Sequence, residues 1–578
     1  MDRNVHIKES VIKQIKQSFL SNMLTVLFAE NGFMLSSKKK PKTCIIVVNY
    51  AGIYFYRSKG IRHLPELKAE FSIYDISQIT YVDQKTREIK SHAHSVTYTS
   101  DHVDDSIMQI VFSRSLLLKK YSPDYKEIKL EKFPRPLDFI FDKQEENMNL
   151  TVLRYVCLSV RSHIEPSPDI IKLYKRIKSS PNQTLTYDET LDIPCDIHSI
   201  ADPITIVRNI TTICFKGFVP YGVCRLAHYI LKHSNSIRTL IFDGYHSLLP
   251  LQLELEKLKG IDTPLSFVFN NLSINNSQLQ YLIEELNKYP GEFQRISFNR
   301  MTISGYLLQV LFDNINNSRS MRTIEFFEMN QIEIKSSSAN DKFINEVQTL
   351  LKHCRFLNYV SFSNWPEPIP ISLQIFLQHN ILSDLALCKQ DMTQPLPRDF
   401  RFPPHIHHLD FSNCSFTYQS LSSLFSIISH HETPLSLYLS NIVLQESHWR
   451  SFFDSLTTFS AMKCLYELDW SGNIIDYQCF QHFSKYFVEE TSLRYLLIDR
   501  IFGSSQIEDL KSLITTFPKN KIWGLSVGGD CQKNFSGNFK LFLESIEELM
   551  PLYFLNINGQ QMSEEDADIL ISFLKRNP

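Results

Sequence analysis

From near residue 210 onward the chain repeats one phrase thirteen times: an apolar residue, two variable ones, an apolar residue, one variable one, an apolar residue. Ile237-x-x-Leu240-x-Phe242, Phe293-x-x-Ile296-x-Phe298, Ile406-x-x-Leu409-x-Phe411, Leu465-x-x-Leu468-x-Trp470 and Leu552-x-x-Leu555-x-Ile557 are instances. The middle anchors are Ile213, Leu240, Phe267, Ile296, Ile324, Val360, Leu385, Leu409, Leu437, Leu468, Leu496, Leu525 and Leu555, which span 342 residues in twelve steps, 28.5 per step. A unit of that length holds a short strand and a helix, and neither can bury its apolar face alone, so the units must stack.

Alternation around each anchor places the apolar side chains on one face of a strand and the intervening residues on the other. Apolar residues then recur at helical spacing, as in Leu279, Leu282, Ile283 and Leu286, or Leu421, Leu424, Phe425 and Ile428. Each buried Leu or Phe contributes about 1.5–3 kcal/mol, enough to explain the fold without assigning those residues any other role. The expected fold class is α/β: a solenoid with an inner parallel sheet and outer helices, curved into a horseshoe, preceded by a small β-rich domain.

The steps between anchors are 27, 27, 29, 28, 36, 25, 24, 28, 31, 28, 29 and 30. The longest contains Ser336-Ser337-Ser338-Ala339-Asn340, expected as an exposed loop. The shortest contains Pro395, Pro397, Pro403 and Pro404 and is expected to lack a proper helix, because proline removes a donor and clashes in helix interiors.

Residues 1–165 carry no trace of the repeat. A helix is expected from Glu9 to Phe19, then strands at Met23–Leu35, Cys44–Tyr50, Ile53–Arg57, Glu70–Ile76, Ser95–Thr99 and Ile107–Phe112, with a helix at Leu150–His163 closing the domain. Residues 166–205, with five prolines and a short helix at Asp169–Lys178, read as a linker and a cap over the open end of the solenoid. Residues 206–578 are the repeat domain.

Of the 578 residues, 43% are hydrophobic and 21% charged, the profile of a globular chain. The formal charge of −2 argues against a nucleic-acid binder, which needs a basic surface. The polar start Met1-Asp2-Arg3-Asn4 is no signal peptide, and no apolar run is long enough to span a membrane. Eleven cysteines, without a C-x-x-C pair, read as buried reduced thiols of a cytoplasmic protein.

The repeat length and the phrase Leu-x-x-Leu-x-Leu-x-x-Asn resemble the leucine-rich repeats of the ribonuclease-inhibitor class. Asn413 and Asn473 occupy or adjoin the asparagine position, whereas Arg300 and Asp499-Arg500 depart from it. The front of the chain adds a second likeness. A helix, a long strand, the loop Lys38-Lys39-Lys40-Pro41-Lys42, the strands Cys44–Tyr50 and Ile53–Arg57, and Phe71-Ser72-Ile73-Tyr74-Asp75-Ile76 look like an atypical pleckstrin-homology domain. That order of parts resembles the CARMIL family (capping protein, Arp2/3 and myosin-I linkers). The resemblance implies a scaffold of the membrane–actin cortex, located in the cytoplasm or peripherally at the plasma membrane. In the family, the capping-protein segment and the dimerising helices follow the repeats, and neither is seen before Pro578.

Two surfaces are candidate sites. Lys38, Lys39, Lys40 and Lys42, with Arg57, Lys59 and Arg62 nearby in sequence, form a cationic cluster suited to anionic headgroups. Each cation near a charged leaflet contributes about 1 kcal/mol, so four lysines give only about millimolar affinity and need help from a dimer or a partner. The second is the expected concave strand face, where Tyr359, Asp384, His408, Asp410, Tyr438, Glu467, Asp469, Tyr495, Asp499 and Phe554 flank the anchors. Aromatic rings mixed with carboxylates suit a basic protein partner. A plain solvated strand face would also carry polar residues.

His405, His407 and His408, with His430-His431 one repeat on, diverge around the inward Ile406 and Leu409, so no metal site is expected. No phosphate loop, H-E-x-x-H or G-x-S-x-G motif occurs, so neither an enzyme, a cofactor, a small-molecule substrate nor a nucleotide-switched receptor is expected. The alternative reading is a leucine-rich-repeat activator of a small GTPase, or an inhibitor that encloses its target.

Overall fold

The computed structural model describes residues 5–17, 24–36, 39–57, 65–119, 127–134, 149–177, 184–188, 197–217, 220–245, 250–261, 263–335, 340–366, 373–376, 379, 381–397, 399–456, 458, 462–535, 537–547, 549 and 551–576. The Ser336–Ala339 part of the expected loop lies outside them. The chain divides into two compact units, residues 1–241 with 251–254, and residues 242–250 with 255–578. The architecture is α/β, with one eight-stranded mixed sheet and one fourteen-stranded parallel sheet.

Helix α1 (Glu9–Lys16) opens the first unit, and Ile15 is its buried contact. The mixed sheet holds β1 (Val26–Ser36), β2 (Lys39–Asn49), β3 (Gly52–Arg57), β4 (Glu66–Ser72), β5 (Ile76–Asp83), β6 (Thr86–Ser91), β7 (Ser95–Thr99) and β8 (Lys129–Glu131), in the order β4-β3-β2-β1-β7-β6-β5-β8. Residues Asn31-Gly32 do not interrupt β1, which pairs through them with β2. The expected strand at Ile107–Phe112 is instead inside helix α2 (Val103–Arg114). Its β-branched run reads as a strand, yet Val103, Ile107 and Ile110 are buried at helical spacing and Asp104 and Asp105 sit in the first turn. Helix α2 packs against β1 and β2. The helix expected to close this domain, α3 (Leu150–Arg161), meets the β4–β5 turn through an Arg161–Asp75 ion pair at 2.7 Å and packs also on α4 (Pro168–Arg176) and α5 (Ile197–Thr205). Its buried Arg154 donates to Asp202 and, at 3.1 Å, to the Leu117 carbonyl.

The parallel sheet runs in strict sequence order from β9 to β22. Its strands are β9 (Thr184–Asp188), β10 (Thr212–Lys216), β11 (Thr239–Asp243), β12 (Leu265–Asn270), β13 (Phe293–Ser304), β14 (Phe326–Lys335), β15 (Tyr359–Ser361), β16 (Asp384–Ala386), β17 (His408–Asp410), β18 (Leu435–Tyr438), β19 (Leu465–Asp469), β20 (Tyr495–Leu497), β21 (Gly524–Ser526) and β22 (Phe554–Asn556). The segment read as linker and cap thus contributes a strand of its own, with Leu185 opposite Ile213.

Anchor sits beside anchor along this sheet. Phe267 pairs with Ile296, Val360 with Leu385, Leu409 with Leu437, and so on to Leu525 with Leu555. One anchor is corrected: Ile296 pairs with Phe327, and Phe327 with Val360. The run Met321–Met329 satisfies the phrase in two registers, Met321-x-x-Ile324-x-Phe326 and Ile324-x-x-Phe327-x-Met329. Phe327 and Met329 are fully buried, while Phe326 faces out against Tyr359 at 6.0 Å. The uneven steps of 28 and 36 become 31 and 33. No helix occupies residues 387–407 among the described residues, as the prolines there require.

Two further columns run with the anchors. Four residues after an anchor the backbone turns left-handed, with φ between 50° and 75° at Gly217, Gly244, Asn271, Arg300, Gln331, Asn364, Lys389, Asn413, Asn441, Gly472, Arg500 and Gly559. Glycine and asparagine tolerate this conformation; lysine and arginine adopt it at a cost. Five residues after an anchor, a side chain reaches back to the preceding unit. Trp365 Nε1 donates to the Met329 carbonyl at 2.7 Å, Gln390 Nε2 to Phe362 at 2.8 Å, Cys414 Sγ to Leu387 at 2.9 Å, Asn473 Nδ2 to Leu439 at 2.7 Å and Gln560 Nε2 to Val527 at 2.7 Å. Each acceptor lies two residues after its own anchor. Three residue types other than asparagine therefore make the bond that the asparagine position makes. Asn473 also accepts the Ile442 amide at 2.9 Å.

Replacing Asn473 by leucine orphans both the Leu439 carbonyl and the Ile442 amide. We expect a loss of about 2 kcal/mol or more, read as a lower urea midpoint. Lys389→Gly relieves a left-handed lysine and should raise stability by up to about 1 kcal/mol in the same measurement.

Candidate functional site on the strand face

The ladder decides which side chains share a row. The residues just before the anchors on β15 to β22 are Tyr359, Asp384, His408, Ser436, Glu467, Tyr495, Gly524 and Phe554. Those just after are Ser361, Ala386, Asp410, Tyr438, Asp469, Leu497, Ser526 and Asn556. Nine of the ten residues expected on this face fall in these two rows. Asp499 lies two positions further, beyond the end of β20. None of the sixteen is a lysine or an arginine.

Several carboxylates also serve the backbone. Asp410 accepts the Ser412 amide at 3.0 Å and Asp469 the Ser471 amide at 2.9 Å, which closes the turn after each strand. Asp499 accepts from the Ser526 hydroxyl and the Gly528 amide of the next unit. Ser436 donates to Glu467 at 3.0 Å. Asp384 takes a bond from Ser383, and its carboxylate lies 4.0 Å from His408 Nδ1. The His408 ring stacks on Tyr438 with centroids 4.8 Å apart and planes 9° from parallel.

The electrostatics are those of crowded anions. Burial pushes the Asp469 carboxyl up, and the Asp499 and Asp410 carboxylates push it further. Burial, then Glu467, raises the Tyr438 phenol well above its ordinary range. Burial, then Glu328, pushes Tyr359 up to about 12.

Sequence reasoning missed the row two positions before the anchors. There Tyr466, Arg494, Trp523 and Tyr553 lie on successive strands, joined by backbone bonds of 2.8 Å. Arg494 sits over the Trp523 ring at 4.8 Å and donates to the Lys521 carbonyl at 2.9 Å. Tyr553 is 77% exposed and Phe554 52%. The signal was available as a fixed offset from each anchor.

Of the cationic cluster, Lys38, Lys59 and Arg62 lie outside the described residues, as does the side chain of Lys39. Lys40, Lys42 and Arg57 are exposed. They occur at the start of β2 and the end of β3, which is one end of this antiparallel pair. His405 and His407 are exposed and His431 bonds the Ile406 carbonyl at 3.0 Å; no metal-ligating group of three gathers among the described residues. Cys531 is exposed and Cys214 half-buried, while the other eight described cysteines are buried. Among the described residues no helix is long and apolar enough to cross a membrane.

No protein-family model matches the chain, and no curated protein matches it.

Asp469 holds its proton more tightly folded than unfolded, so its charged form costs stability above the raised pKa. That cost disappears as pH falls below the ordinary aspartate range. Asp469→Asn keeps an acceptor for Ser471. We expect it to raise the thermal midpoint at neutral pH, with the gain vanishing toward acid pH in calorimetry.

Proposed function

We propose that the chain is a non-enzymatic scaffold of the CARMIL-like kind. Its pleckstrin-homology-like domain, residues 1–165, contacts the anionic inner surface of the plasma membrane. Residues 166–205 link it to, and cap, a leucine-rich-repeat solenoid of about thirteen repeats, residues 206–578. The solenoid's strand face holds a partner protein of the actin cytoskeleton.

The observation that carries this reading is the strand face. Sixteen anchor-flanking positions hold Asp384, Asp410, Glu467 and Asp469 among tyrosines, without one lysine or arginine. Large rings supply contact area at low entropic cost and carboxylates supply steering, which is the chemistry of partner recognition. The two sheets support the division of labour, and the exposed Lys40, Lys42 and Arg57 support the membrane half.

A triple charge reversal, Lys40→Glu, Lys42→Glu and Arg57→Glu, tests that half. Each cation contributes about 1 kcal/mol near an anionic leaflet, so partition into phosphatidylserine vesicles should fall about 100-fold or more in co-sedimentation. Unchanged sedimentation rejects membrane contact through these residues.

A further inference from the structure

Strands β16 to β20 present four carboxylates on the solvent side, Asp384, Asp410, Glu467 and Asp469, interleaved with Tyr438 and Tyr495, and Asp499 just past β20 adds a fifth. All seven side chains are half-buried, so this is a packed floor and not a fringe of mobile surface charge. Arg494, at its border, is seated on Trp523 and donates to the Lys521 carbonyl. That seat, in the row beside the face, is a planar cation lying on an aromatic ring. His408 repeats the theme, stacked on Tyr438 with Asp384 beside it. Asp410, Asp469 and Asp499 each accept a backbone amide, yet their like charge is crowded, with Asp469 pressed by Asp499 and Asp410 as well as by burial. Counter-charge from outside relieves that crowding.

We propose that this face binds an arginine-bearing extended segment of a partner protein, its guanidinium groups stacked on Tyr438 and Tyr495 and paired with Glu467 and Asp469. This rests on the reading of the strand face as a partner site. Five strands spaced about 4.8 Å apart span about 19 Å, the reach of about six extended residues. Arginine is favoured over lysine because its planar fork pairs with carboxylates in a bidentate way and stacks on rings.

The test uses the full chain and fluorescent octapeptides that alternate arginine with serine, against matched lysine, glutamine and glutamate peptides. Anisotropy is read at about physiological ionic strength, where the screening length is about 8 Å. The arginine peptide should bind several-fold more tightly than the lysine peptide, and the uncharged and acidic ones should not bind. Glu467→Gln with Asp469→Asn should weaken arginine-peptide binding about tenfold or more, with the thermal midpoint no lower than that of the unaltered chain. Lys40→Glu with Lys42→Glu should leave it unchanged. Equal binding of arginine and lysine peptides, or no loss in the Glu467/Asp469 double variant, overturns the proposal. A random-peptide display separates this from the broader reading. Cation-free binders that require Tyr438 and Tyr495 would overturn the arginine assignment and leave the partner site standing. A display in which no binder depends on this face would remove both.

Discussion

Lateral satisfaction of the backbone between neighbouring strands is the constraint on which the larger sheet depends. A short strand of three residues, such as β15 or β21, cannot hold its own amides and carbonyls in order. Each is held by the strand before and after it, and by the donor that reaches back from the following unit to the carbonyl two residues past the anchor. Trp365, Gln390, Cys414, Asn473 and Gln560 differ in size and chemistry, yet all present a donor at one point in space. The geometry is conserved along the chain while the residue type is not.

Once the ladder is in place, the solvent-side rows follow without further design. Every anchor that pairs with an anchor also aligns its flanking residues, so side chains 24 to 33 residues apart in sequence become lateral neighbours. This is how Asp410 and Asp499 come to raise the proton affinity of Asp469, and how His408 comes to lie flat on Tyr438. A face assembled this way can concentrate like charge because the core behind it, with Leu409, Leu437, Leu468 and Leu496 fully buried, carries the stability.

The mixed sheet is built on a different principle. It is mostly antiparallel, helix α2 lies across its β1 and β2, and polar contacts there are local, as where Arg114 donates to the Ile73 and Ile76 carbonyls. Here the sequence was a poorer guide. A run of β-branched residues at Ile107–Phe112 has strand propensity, but burial at Val103, Ile107 and Ile110 follows a helical stripe, and tertiary packing overrides propensity.

What the sequence determined by itself was the period, the inward identity of nearly every anchor, the loss of a helix at the proline-rich step, and nine of the ten strand-face candidates. These follow from a spacing of two within strands and about 28 between them, which only one stacking satisfies. What tertiary structure alone decided was the register at Phe327 over Ile324 and the strand at Leu185. The physical reason is that apolar periodicity says which residues avoid water but not which neighbours they avoid it with. A run such as Met321–Met329 fits two registers equally well until the strands beside it choose one.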